Sequence, residues 1–356
     1  MKRFHCQCGN PVFFRNTRCT RCQRDLGYDP LSADMLSKDP ASGMWETAGS
    51  NATLGMRSCR NQAEHDVCNW LVPEQDLHPY CQACRLNAMI PNLDEPRHHD
   101  YWYRIEAAKR HLLYSLLQLG LPVIGKDIDP QQGLSFVFIR DLGEADIATG
   151  DSEFGDHFGD GGRVMTGHKQ GRITINIAEA DHVERTRARE LFNEPYRTLL
   201  GHFRHEIGHY YWDLLVRDGP WLDEFRRLFG DERQDYAAAR DRHYVQGPAS
   251  DWQDRCISAY ASMHPWEDWA ESWAHYLHII DTLETARAFG LATGPAPARQ
   301  DFASLIEDWQ TLTPGLNALC RSMGVQDIYP FVIHPAAREK LGLVQRIIQG
   351  SAQPLT

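Results

Sequence analysis

The chain has 356 residues, 42% of them hydrophobic and 24% charged, with a formal net charge of −11. That is ordinary for a soluble globular chain of two domains, and the negative balance excludes a protein built throughout to bind nucleic acid. No run of about 18 apolar residues occurs, so a membrane-spanning helix is excluded as well.

From the N-terminus, Met1-Lys-Arg-Phe-His-Cys6 offers neither an apolar signal stretch nor a cleavage site. The expectation is a cytoplasmic, reducing setting, where paired cysteines read as metal ligands rather than disulfides. Eight of the ten cysteines fall into two clusters: Cys6, Cys8, Cys19 and Cys22, then Cys59, Cys68, Cys81 and Cys84. Two thiolate pairs meeting across a short hairpin make a closed tetrahedral zinc site, which holds together a segment too small to fold on apolar burial. Residues 1–92 therefore read as a zinc-ribbon region with two structural zinc ions. The first cluster has C-x-C where a knuckle has C-x-x-C, and His5 competes with Cys6 as a ligand. Exchange of ligands between the clusters also stays open. Val12-Phe13-Phe14 reads as a strand, and residues 31–57, with Gly43, Gly49 and Gly55, as a linker folded over the ribbons. Lys2, Arg3, Arg15, Arg18, Arg21 and Arg24 against Asp25 and Asp29 leave residues 1–30 at +4. Nucleic acid or an acidic partner could use that surface, although a solvated basic face explains it better.

Residues 93–356 read as a second domain. Trp102, Ile105, Ala108, Leu112, Leu116 and Leu119 recur at helical spacing between Asp100 and Gly120, with Pro122 beyond. Ser135–Arg140 and Arg172–Ile177 read as strands, with Ile173, Ile175 and Ile177 on one side of the second. Between them, Gly150–Gly162 is an acidic, glycine-rich loop whose spacing does not fit an EF-hand. A helix is then expected from Pro195, capped by Asn193 or Glu194, through Leu199, Leu200, Phe203, Ile207, Tyr210, Tyr211 and Leu214 to a stop at Asp218-Gly219-Pro220.

Within that helix lies His205-Glu206-Ile207-Gly208-His209, the H-E-x-x-H pattern. Residues four apart share a helix face, so both imidazoles can meet one metal ion. Glu206 then points into the same site as a general base for metal-assisted hydrolysis. Trp212 and Leu215 stand where a metzincin has Gly and His, which excludes that subclass. The segment 221–251 reads as charged, helical and partly exposed. A second helix opens at Pro265, with Glu267 and Glu271 one turn apart. One carboxylate can complete the metal site while the other holds the far nitrogen of a ligand histidine. The residues alone leave Glu267, Asp268 and Glu271 open as third ligand, and leave His264 and His275 as rival proton donors. After the loop Thr293–Ala298, Phe302–Leu312 reads as helical. Cys256 and Cys320 are isolated and read as buried thiols.

H-E-x-x-H followed by E-x-x-x-[DE] on a second helix resembles the gluzincins, the clan of thermolysin and the anthrax lethal factor protease. The resemblance implies that Glu267 is the third ligand, that Glu271 orients His205, and that the strand at 172–177 borders the cleft and pairs with extended substrate. Tyr260 stands seven residues before Glu267, an offset that in the lethal factor pattern places a hydroxyl to polarise the scissile carbonyl. The whole chain also resembles a family of zinc-binding metallopeptidases with an N-terminal zinc ribbon. The resulting expectation is an α+β protein: a zincin-like, mostly helical metallopeptidase domain with a small sheet, preceded by zinc ribbons. It would use one catalytic and two structural zinc ions to hydrolyse peptide or protein substrates. The rival expectations are a non-catalytic ribbon adaptor and a nucleic-acid-associated protein.

Overall fold

The structure, a computed structural model, describes residues 1–49, 53–141, 164, 166–183, 185–186 and 198–352. The Gly150–Gly162 loop and Pro195 lie outside the described residues.

The N-terminal strands are short because the cysteine knuckles set the spacing between them. β1 (Phe4–His5) pairs antiparallel with β2 (Pro11–Val12), and the turn between them carries Cys6 and Cys8. Gly9 closes that turn at φ +79°, a left-handed conformation that disfavours side chains, and its N–H donates to the Cys6 carbonyl at 2.8 Å. The expected strand through Phe14 stops at Val12, since Phe13 is 65% exposed and only Phe14 turns inward.

The expected linker at 31–57 is largely sheet. β3 (Leu26–Asp29), β4 (Asp34–Lys38), β5 (Trp45–Thr47) and β6 (Thr53–Leu54) form an antiparallel meander in chain order. Strands of two to five residues are too short to show alternation, and burial of Met35, Leu36 and Trp45 supplies the driving force instead. β7 (Met56–Ser58) and β8 (Leu71–Pro73) pair around α1 (Arg60–His65) and bring in the second set of cysteines.

A second four-stranded sheet crosses the expected boundary near residue 92. β9 (Asn87–Met89), which follows Cys84, pairs in parallel with β10 (Ser135–Ile139). β10 pairs in parallel with β12 (Arg172–Asn176), and β11 (Gly167–Lys169) closes the order β11-β12-β10-β9 antiparallel to β12. One continuous apolar core runs from Phe4 and the cysteines through this sheet to Ile348.

The long helix α2 (His98–Gln118) is the spine of that junction. Its six predicted apolar positions are all buried, and Gly120 at φ +68° ends it. Less expected, Glu106, Lys109 and Arg110 are buried too. Glu106 accepts from Lys109 Nζ at 2.9 Å and from Trp102 Nε1 at 3.2 Å, and Lys109 also reaches Asn87. Complete pairing lets these charges persist without water.

α3 (Leu199–Leu215) carries the H-E-x-x-H residues. Thr198 caps it, its side chain accepting from Gly201 N–H. α4 (Leu222–Phe229), α5 (Tyr236–Gln246) and the single turn α6 (Trp252–Arg255) follow, and α7 (Pro265–Ala288) packs along α3. Close approach is possible because Gly208 faces α7. A Cβ there would lie 3.1 Å from both Ala270 Cα and Trp273 Cβ. The Gly208 carbonyl instead accepts from Trp269 Nε1 at 2.9 Å. Tyr211, Phe225, Trp269 and Trp273 are fully buried around this crossing, each worth about 1.5–3 kcal/mol or more.

α8 (Phe302–Ser322), capped by Asp301, runs well past the expected Leu312. α9 (Pro335–Ser351), not foreseen from sequence, buries Leu341, Leu343, Val344, Ile347 and Ile348 and packs on α7. No helix among the described residues is long and apolar enough to cross a membrane.

Candidate metal centre and active site

Among the described residues, three groups of side chains could each hold a metal ion, and within each group the ligand atoms lie within 4.8 Å of one another. The first is Cys6, Cys8, Cys19 and Cys22, with Cys6 and Cys22 Sγ 3.5 Å apart and Cys8 and Cys19 Sγ 3.7 Å apart. His5 points outward and is not in the group. The second is Cys59, Cys68, Cys81 and Cys84, all buried. No ligand is exchanged between the two quartets.

The second quartet is built into the helical half of the molecule. Backbone N–H groups of Cys81 and Trp70 donate to Cys59 and Cys68 Sγ at 3.3 and 3.4 Å. Arg110 of α2 lies alongside. Burial opposes its charge, but Cys68, Glu106, Cys84 and Cys81 outweigh that and hold the guanidinium protonated.

His205, His209 and Glu267 form the third group. The helix period puts both histidines on the face of α3 that meets α7. His264 caps α7, its Nδ1 accepting from Trp266 N–H at 3.1 Å, and Pro265 opens the first turn, so Glu267 sits at the start of the helix. Glu267 Oε2 lies 2.9 Å from His205 Nε2, and Oε1 lies 3.5 Å from His209 Nε2. His205 Nδ1 contacts Glu271 Oε1 at 2.8 Å, and Ser258 Oγ donates to Glu271 Oε2 at 2.6 Å. Ser258 therefore fixes the carboxylate that fixes the histidine. His209 Nδ1 has no hydrogen-bond partner among the described residues.

These residues fit a divalent ion such as zinc on this geometry. Both Nε2 atoms converge on one carboxylate, and the buried Glu267 Oε2 lacks a well-directed hydrogen-bond donor. Burial alone would push the Glu267 carboxyl up, yet His209 and His205 together pull it well below the usual carboxylate range. Glu271 goes the same way against burial, lowered to about 2, chiefly by His205. Both are anionic, as ligand and orienting groups require. Glu206, 8% exposed, is raised by burial, with the two histidines opposing.

The rival assignments separate in space. Asp268 faces Lys340 of α9 and Cys256 Sγ, 3.7 Å away. His264 spends Nδ1 on the cap, and its Nε2 donates to the Gln234 carbonyl at 3.1 Å. His275 is buried against the Tyr329 hydroxyl, 2.6 Å from Nδ1. Tyr260 begins a 3-10 turn and packs beside His205, ring centroids 5.9 Å apart. Burial and then the charge of Glu267 push its phenol well up, so it stays a donor.

Two neighbours escaped the sequence reading. Tyr236 donates to Glu267 Oε1 at 2.8 Å, and His243 packs edge-on against Tyr260 at 5.9 Å. They lie seven residues apart on α5, which places both on one helix face. The periodicity within Tyr236–Gln246 was the available signal, but the charged residues around it read as solvent-facing. β12 also departs from expectation, because β10 and β11 cover its two edges. The end strand near α3 is β11. In the basic ribbon, Arg18 pairs with Asp25 at 3.3 Å and Arg24 with Glu46 at 2.7 Å, so part of the charge is used internally.

Burial holds His168 and His275 neutral, at about 3 and about 4, and holds His278 well below its usual range. In the unfolded chain each would take a proton below about 6.5, so acid favours unfolding. Stability is therefore expected to be full near pH 7 and to fall as pH drops from about 6.5 towards 4, lowering the melting temperature by several degrees. Melting curves across that window check it, and a flat profile would contradict it.

Residues 98–347 match the model of a family described as "Putative zinc-binding metallo-peptidase", and residues 3–95 match a zinc-ribbon domain family. The chain belongs to this metallopeptidase family. It is 38% identical over 356 residues to proteins of Mycobacterium tuberculosis and Mycobacterium bovis, each named only as uncharacterized, with 98% of this chain and 95% of theirs covered. No solved structure matches the chain.

Proposed function

We propose that this protein is a zinc-dependent peptidase of gluzincin type, carrying one catalytic and two structural zinc ions. The observation that supports the reading best is the convergence of His205 Nε2, His209 Nε2 and Glu267 on one point, with Glu206 on the same helix. His205, His209 and Glu267 hold the ion, and Glu271 orients His205. Zinc bound there supplies a Lewis acid that polarises a carbonyl and makes water acidic near neutral pH. Glu206 accepts the proton of the attacking water and passes it to the leaving amine. Tyr260 donates to the developing oxyanion. Extended substrate pairs through its main chain with β11, the end strand beside α3, which suits peptides of varied sequence. Zinc content and peptide hydrolysis measured together for wild type and Glu206→Gln test the reading: metal retained with turnover lost supports it, and turnover retained overturns it.

A further inference from the structure

Glu267 has two oxygens, and the structure treats them differently. Oε1 accepts a 2.8 Å hydrogen bond from the Tyr236 hydroxyl. Oε2 is buried without a well-directed donor and faces His205 Nε2 at 2.9 Å. From this asymmetry we propose that Tyr236 is a positioning residue for the metal centre: it occupies one oxygen of Glu267 and leaves the other to the ion. The proposal rests on the zinc-site reading above and adds to it a determinant from α5, an otherwise exposed helix.

A carboxylate facing a divalent ion can bind through one oxygen or through both. Binding through both raises the coordination number and uses room that a catalytic zinc keeps for water and substrate. A phenol hydrogen-bonded to Oε1 takes one of its lone pairs and weakens it as a donor, so Oε2 is the favoured ligand atom. The phenol is suited to the task. A phenol carries a single O–H, and here that hydrogen is directed at Oε1. Its ring is fixed by edge-on packing against His264 at 5.3 Å and Trp266 at 6.2 Å. His264 and Trp266 flank Pro265 at the start of α7, so the same turn that places Glu267 also holds Tyr236. α5 buries only Ala239 among its own residues, and Asp235 caps it. Tyr236 thus links this helix directly to a metal ligand.

The test uses the full chain with its cysteine sites loaded. The affinity of the His205/His209/Glu267 site for zinc is measured by chelator competition in wild type, Tyr236→Phe and Tyr101→Phe. Cobalt is then exchanged into that site and its visible absorption recorded. Tyr236→Phe is expected to weaken zinc binding by about 10-fold or more, the usual effect of losing a partner that orients a ligand. Its cobalt bands should also weaken, as four-coordination gives way to a higher number. Tyr101→Phe, whose hydroxyl donates to Asp181 away from the metal ligands, should leave both unchanged. Unaltered affinity and an unaltered cobalt spectrum in Tyr236→Phe would overturn the proposal while leaving the metal site standing. If His209→Ala binds as much zinc as wild type, the site reading itself fails, and the Tyr236 proposal fails with it.

Discussion

Glu206→Gln is expected to keep its zinc and to lose peptide hydrolysis by about 10²–10⁴-fold, the range that positioned general bases contribute. The substitution keeps the shape of the side chain and removes its basicity. Glu206 is buried on α3 between the two metal-facing histidines, and burial raises its carboxyl above the ordinary carboxylate range. Among the described residues no neighbouring acid is placed to take over. Glu267 is bound to the histidines and Tyr236, Glu271 is held by Ser258 and His205, and Asp268 is paired with Lys340. Turnover assays beside metal analysis check the prediction. A variant that keeps both zinc and full biological activity would favour a non-catalytic adaptor.

Cys68→Ser is expected to remove one zinc ion and to lower the melting temperature of the whole chain, by about 10 °C or more, in a single transition. A free-standing ribbon would instead melt separately. Three features argue for the single transition. The quartet is buried, and Cys84 Sγ contacts Glu106 Oε2 of α2 at 3.9 Å. Arg110 beside the thiolates is buried, so losing their charge leaves a cation with too few partners. α2 in turn packs on α3, and β9, just beyond Cys84, is part of the sheet next to them. Calorimetry with zinc quantitation tests this. Loss of zinc with an unchanged main transition would show that the ribbon folds independently.

The centre was legible in sequence because its residues are close along two helices. His205, Glu206 and His209 lie within one helical turn, Glu267 and Glu271 within another, and Pro265 marks where the second begins. The cysteine quartets were legible because thiolate pairs at knuckle spacing have few other uses. What could not be read depends on contacts distant in sequence. Tyr236 reaches Glu267 across 31 residues, and Ser258 gains its role only once α7 brings Glu271 to it. Glu106, Lys109 and Arg110 resemble a solvent-facing helical stripe until Asn87, Val67 and the second quartet are packed against them. The meander β3–β6 was hidden because its strands are short. Gly208 fills one of the unspecified positions of H-E-x-x-H, and its missing side chain is what lets α7 approach the two histidines.

The most direct test of the account is zinc per chain, by elemental analysis, in wild type and His209→Ala purified identically. Two closed thiolate sites and one open histidine–carboxylate site predict about three ions in wild type and about two in the variant. Equal content in both proteins would contradict the account, because the helix bearing His205 and His209 would then bind no metal.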